Sequence, residues 1–164
     1  MLILNIATFY LSWWGILFCG SNQYRWGLLL IPIVHLLIHF KFSVKSKDLE
    51  IKTIMLVTII GVAADLIFHH LNIFKLQLDF YLWLPVVWLV FASTVNFSLK
   101  SVLRLNLIVL FLLGSIFGPL SYWGASKFGL IIYDFKFGTL FLHPIFWGGF
   151  LLLLKRQGTR NEIF

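Results

Sequence analysis

Apolar stretches alternate with short polar or charged connections along the whole chain, and the apolar stretches are long. Six of them run over about 3–19, 26–40, 51–68, 82–97, 105–123 and 139–154. An α-helix rises about 1.5 Å per residue, so stretches of this length approach what the hydrocarbon of a bilayer requires. The pattern predicts an all-α integral membrane protein. Its architecture is a bundle of six transmembrane helices with short loops, in a single domain over residues 1–164. The connection from Lys41 to Lys52 is the most charged part of the chain. Asn72 to Tyr81 forms a polar and aromatic connection, and Lys100 and Arg104 separate the fourth and fifth spans. A longer loop with Lys127, Asp134 and Lys136 leads into the sixth.

The polar positions inside these stretches are the candidates for chemistry. Asp65 stands in the apolar run from Ile51 to about Ile73, the lone carboxylate within such a run. An acid at that depth costs about 2.5–3.5 kcal/mol on insertion scales, so it is expected to face the bundle interior and to have a partner. His69 follows one helical turn later on the same face. His143 enters the last span from the same side, and Ser121 and Tyr122 close the fifth span at similar height. These groups are expected to converge on a pocket opening outward. Asp65, His69 and His143 are formally sufficient for zinc, yet no spaced metal motif such as HExxH occurs, so no metal and no cofactor is assigned. The same carboxylate and histidines suit general acid–base work. The plainer alternative makes Asp65 a hydrogen-bonded packing residue and His69-His70 an interfacial pair.

His35 and His39 are four residues apart and share one side of the second span, where hydrogen bonding across helices is the first expectation. All four prolines, Pro32, Pro85, Pro119 and Pro144, fall inside spans. Each removes a backbone hydrogen bond, which suggests kinked helices around an internal cavity. Gly114 and Gly118 form a GxxxG element, read first as close packing between two helices of this chain.

Composition sharpens the class. Of the residues 60% are hydrophobic and 12% charged, about half the charged share of a soluble domain. The net charge of +7 would elsewhere suggest nucleic acid. Here the basic residues sit beside apolar spans, the pattern of topology signals and anionic-lipid contact, so membrane lipids and not nucleic acid are the expected partners. One side collects Lys41, Lys45, Lys47, Lys52, Lys100, Arg104, Lys155, Arg156 and Arg160, and the other Arg25, Lys75, Lys127 and Lys136. Nine against four places both termini in the cytoplasm. Lys127 stands where it can reach a lipid phosphate, and the 41–52 loop offers a surface to a protein partner. Cys19 is the single cysteine, which leaves no disulfide framework. Phe18 precedes it where a lipoprotein site needs a small residue, and the first apolar run is read as a retained span.

Residues 118–129 read Gly-Pro-Leu-Ser-Tyr-Trp-Gly-Ala-Ser-Lys-Phe-Gly, the most distinctive string of the chain. With Trp14, Asp65 and Asn96-Phe97-Ser98-Leu99-Lys100, it resembles a family of uncharacterised bacterial inner-membrane proteins, domain of unknown function (DUF) 2878. Phe97 stands where the family string carries a histidine. The resemblance covers essentially the whole chain and implies a small multi-span inner-membrane protein with an envelope or lipid-related theme. The Gly61 to Asp65 spacing in the third of six spans is also similar to rod-shape membrane proteins and to the substrate-binding subunits of vitamin transporters.

The leading functional expectation is a non-catalytic protein that binds a lipid or small apolar molecule within its bundle. Asp65, Ser121, Tyr122, Lys127 and His35 are its candidate ligand-binding residues. The runner-up is a membrane-embedded lipid hydrolase or modifying enzyme using Asp65, His69 and His143. A substrate-binding transport subunit or morphogenetic scaffold comes third.

Overall fold

Helix dominates the computed structural model, which describes residues 2–42, 44, 46–77 and 81–160. In chain order the elements are α1 (Leu2–Ser21), α2 (Arg25–Phe42), α3 (Lys47–His70), β1 (Lys75–Leu76), α4 (Trp83–Ala92), α5 (Ser98–Leu103), α6 (Leu107–Lys127), β2 (Ile131–Ile132), a π-helical turn (Gly138–Leu142) and α7 (His143–Arg160). Five stretches are long and apolar enough to cross a bilayer: α1, α2, α3, α6 and the continuous segment Gly138–Gln157. The all-α membrane class therefore holds. Lys45 and Asp79 lie outside the described residues.

The fourth predicted span differs. It is helical only over Trp83–Ala92, about 15 Å of rise, roughly half the hydrocarbon thickness. Side chains break it. Ser93 Oγ donates to the Val90 carbonyl and Thr94 Oγ1 to the Phe91 carbonyl, each at 2.7 Å, offering the backbone local alternatives to the helical ladder. The chain then turns through residues 93–97 before α5 begins. The third helix differs in the other direction. It starts at Lys47, a turn earlier than the apolar run, with Asp48 and Glu50 in its first turn, where the helix dipole favours acids.

Two of the four prolines need no compensation for a lost bond in the way a mid-helix proline does. Pro85 is the third residue of α4, within the first turn, where its missing N–H would have had no partner. Pro144 follows the π-helical turn, whose wider winding makes room for the ring. Pro32 and Pro119 do lie within α2 and α6.

The chain divides into two compact units. The first comprises residues 1–66 and 78–99, hence α1, α2, most of α3, and α4 with the turns after it. Its core holds Ile16, Leu17, Leu28, Val57, Trp88 and Val90. Gly61 lets α3 lie against the Trp88 indole, because a Cβ at that position would run into the ring. The second unit comprises residues 67–77 and 100–164. There β1 and β2 pair antiparallel, Lys75 opposite Ile132 and Leu76 opposite Ile131, a short ribbon built from two connections. Helices α6 and α7 meet through glycines. A Cβ at Gly114 would press on the Trp147 carbonyl oxygen, one at Gly118 on the Trp147 ring, and one at Gly148 on the Phe111 ring. The GxxxG element thus serves packing within the chain.

Polarity is inverted relative to a water-soluble fold. Asn5, Ser12, His35, His39, Glu50, Asp65, Ser93 and His143 are buried, while Leu11, Leu37, Ile59, Ile108 and Leu153 stand exposed. Exposed aliphatic faces with buried hydrogen-bonding groups are what a hydrocarbon surrounding selects.

Candidate functional site

In the first unit, polar side chains from four segments join into two connected layers. The first layer forms around His39. Asn5 of α1 presents its amide Nδ2 to His39 Nδ1 at 3.2 Å, and His39 Nε2 meets Glu50 Oε1 at 2.8 Å. Asn96, in the turn after α4, donates from Nδ2 to Glu50 Oε2 at 2.9 Å and to Thr53 Oγ1 at 3.0 Å. Thr53 in turn donates to the Leu49 carbonyl. An amide N–H that faces Nδ1 makes that nitrogen an acceptor. The ring proton then sits on Nε2 and is donated to a Glu50 carboxylate. Every bond of the layer is consistent with neutral His39 and ionised Glu50. Side-chain exposures of 1% and 8% put this pair out of contact with solvent.

The second layer lies one turn along α2. Ser12 Oγ lies 3.1 Å from His35 Nδ1, and His35 Nε2 lies 2.8 Å from Ser93 Oγ. The Ser93 proton is already committed to the Val90 carbonyl, so Ser93 accepts from Nε2–H and Ser12 donates to Nδ1. The His35 and His39 rings are nearly parallel, 8° apart, with centroids separated by 6.3 Å. Further along α3, Asp65 is 1% exposed and accepts from Trp88 Nε1 at 2.7 Å. An indole is thus one interior partner of Asp65.

Beside the second layer, α1 and α2 leave an open groove of about 330 Å³, lined by Thr8, Leu11, Ser12, Leu30, Ile31, Val34, His35 and Ile38. Its walls are mostly aliphatic, and Thr8, Ser12 and His35 are its polar lining residues.

The remaining predicted site residues take other places. His69 and His143 fall in the second unit and Asp65 in the first. His69 Nδ1 accepts the Leu76 backbone N–H at 3.2 Å, which ties the end of α3 to β1. His143 is fully buried. Its Nε2 accepts from Trp147 Nε1 at 3.2 Å, so the proton sits on Nδ1, 2.9 Å from the Tyr133 hydroxyl. The rings of Phe68, Phe74 and Tyr122 close around it, Tyr122 edge-on with centroids 4.4 Å apart. Burial pushes the Tyr133 hydroxyl above its ordinary value. Ser121 Oγ donates to the Gly118 carbonyl at 2.6 Å, close to where Pro119 interrupts the α6 ladder. Lys127 is exposed, its Nζ 4.8 Å above the Trp123 ring centroid. Among the described residues no three His, Cys, Asp or Glu side chains are grouped closely enough to hold a metal ion.

Three members of the His39 layer escape a reading of the sequence alone. Glu50 reads as part of the charged connection, and Asn5 and Asn96 as isolated polar residues in apolar spans. The available signal is positional: continuing the α3 period back one turn from Ile54 puts Glu50 on the buried face.

Comparison with known proteins adds one finding. The model of a family described as "Protein of unknown function (DUF2878)" matches residues 2–153. No curated protein and no solved structure matches the chain.

Proposed function

The chain belongs to the DUF2878 family, whose function is unknown, and from that premise we propose that it holds one acyl chain or small apolar molecule in the groove between α1 and α2. The setting of this reading is the bacterial inner membrane, with several crossings and both termini cytoplasmic, as nine basic residues against four would orient them. The role is non-catalytic. One observation carries it: a mostly aliphatic groove of about 330 Å³, on helices whose outer faces are apolar, includes the hydrogen-bonded pair Ser12 and His35 in its lining. That volume is at the small end of ligand pockets and suits a single chain or a compact hydrophobe. Ser12 and His35 are already held by hydrogen bonds to one another and to Ser93, so they meet a ligand's polar end without reorganising.

Asp65 supports this role from within the unit by fixing Trp88, and does not touch the ligand. The test is to purify the protein from its membrane, extract it and identify bound hydrophobic molecules by mass spectrometry. The wild-type protein is expected to carry a stoichiometric molecule. Val34→Trp, which fills the groove from an exposed position, is expected to lose it while remaining folded. Absence of any such molecule, or its retention in Val34→Trp, contradicts the reading.

A further inference from the structure

The His39 layer contains one atom that its surroundings leave unsatisfied. Asn5 is 2% exposed, and its side-chain Oδ1 has no hydrogen-bond partner among the described residues. A buried amide oxygen without a partner costs about 1–3 kcal/mol and calls for an explanation. Turning the amide over exchanges the atom that faces the ring: Oδ1 then faces His39 Nδ1, and Nδ2 takes the place where Oδ1 stood. What the turn changes is the ring. With Nδ2 facing it, Nδ1 must be an acceptor; with Oδ1 facing it, Nδ1 must carry a proton.

We propose that Asn5, His39, Glu50 and Asn96 form a proton-binding site, with the orphaned Asn5 oxygen as the latent ligand for the proton. A proton supplied by water binds at His39 Nδ1, and the Asn5 amide turns about its terminal torsion so that Oδ1 accepts it. Nε2–H remains on Glu50 Oε1, so a neutral histidine beside a carboxylate becomes an imidazolium–carboxylate pair. The charge of the site goes from −1 to zero, no covalent bond other than N–H forms, and water is the only other reactant.

The surroundings fit that exchange. The described parts of α1 and of the segment Trp83–Phe97 carry no charged residue. From α2 the titratable group facing His39 is the parallel His35 ring, and from α3 it is Glu50. Lys41 of α2 and Lys47, Asp48 and Lys52 of α3 are exposed. Glu50 is therefore the charge that the incoming proton answers. The interruption of α4 is the second independent feature. Irregular backbone at membrane depth is tolerated where it lines a site, and here it carries Asn96 onto the other Glu50 oxygen. Phe97, from the same turn, covers His39 edge-on at 6.4 Å.

This inference is independent of lipid binding and is tested without it. Histidine labelled with nitrogen-15 is observed in the full chain, reconstituted in lipid, as the medium is acidified from about pH 8 to about pH 4, a range that spans ordinary histidine titration. Nδ1 of His39, assigned by its loss in His39→Gln, is expected to change from a bare nitrogen to N–H. Asn5→Leu, which has similar bulk and cannot accept, is expected to need roughly tenfold more acid for that change. Asn5→Asp restores an acceptor and is expected to need less acid than wild type. Ser126→Ala, in the second unit where it bonds the Trp123 carbonyl, leaves the titration in place. A His39 ring that stays in one state across the range, or one whose titration is the same in Asn5→Leu and Asn5→Asp, overturns the proposal.

Discussion

His39 and His143 are equally withdrawn from the surface, at 3% and 0% exposure, yet their surroundings satisfy them by opposite means. His39 sits among an amide, a carboxylate and a second amide, and its layer holds a formal charge with one oxygen to spare. His143 sits among aromatic rings, and its two nitrogens are used up by Tyr133 and Trp147 with no charge involved. The first arrangement offers a carboxylate and a spare oxygen to the ring, and the second offers neither. A buried histidine is therefore no sign of function by itself; what matters is whether its neighbours can accommodate a second proton.

The largest effect expected from this contrast is at Glu50. Glu50→Leu removes the acceptor for both His39 Nε2 and Asn96 Nδ2, and losing one partner of a buried pair costs about 3–5 kcal/mol. Thermal unfolding in detergent should show a large loss for Glu50→Leu and a much smaller one for Glu50→Gln, which retains an acceptor. Equal losses would mean that shape and not hydrogen bonding matters there.

Two glycines that face tryptophans sharpen the comparison next. Gly61→Leu and Gly118→Leu each drive a side chain into an indole, of Trp88 and Trp147 respectively. Overpacking of this kind costs about 1–3 kcal/mol. Gly61→Leu should cost more, because displacing Trp88 strips Asp65 of a charge-assisted bond worth about 1.5–3 kcal/mol in soluble proteins, whereas displacing Trp147 strips His143 of a neutral one worth about 0.5–1.5 kcal/mol. Asp65→Asn, which keeps an acceptor for the indole, should stay close to wild type in the same unfolding assay. If Gly118→Leu proves the worse of the two, Asp65 contributes less than its burial implies.

His143→Phe should cost about 1–3 kcal/mol in the same assay, less than Gly61→Leu, because an aromatic ring replaces an aromatic ring while the buried Trp147 N–H loses a neutral acceptor. Tyr133 should show the smallest. Burial raises its folded value above that of the unfolded chain, so its contribution is complete below about pH 10 and declines as alkali rises past that point. Tyrosinate absorbance from Tyr133, taken as wild type minus Tyr133→Phe, should be absent until the protein unfolds.

Much of this contrast could be read from the chain, and the exceptions have physical causes. Asp65 is conspicuous because it interrupts a long apolar run, and the GxxxG glycines because small residues at that spacing admit a second helix. Glu50 is hidden by its company. Flanked by Lys47, Asp48 and Lys52, it looks solvated, although a single turn of helix rotates it inward and leaves those three outside. The break after Ala92 is hidden because Ser93, Thr94 and Asn96 are ordinary polar residues of membrane helices until their side chains bond the backbone or Glu50. The β1–β2 ribbon has two residues per strand, too few for an alternating pattern to register. The α1–α2 groove depends on side-chain packing, on which local pattern is silent.

The claim beneath all of these readings is that the acids and histidines of the first unit are screened from lipid, while the groove beside them is open to it. Phospholipids whose acyl chains carry a photoactivatable alkyl diazirine, a group that reacts readily with carboxylates, test it directly when the labelled peptides are mapped. Adducts are expected on the groove positions Leu30 and Val34 and on exposed aliphatic residues such as Leu37, with Glu50 and Asp65 unlabelled. Adducts on Glu50 or Asp65, or a groove left unlabelled, would contradict it.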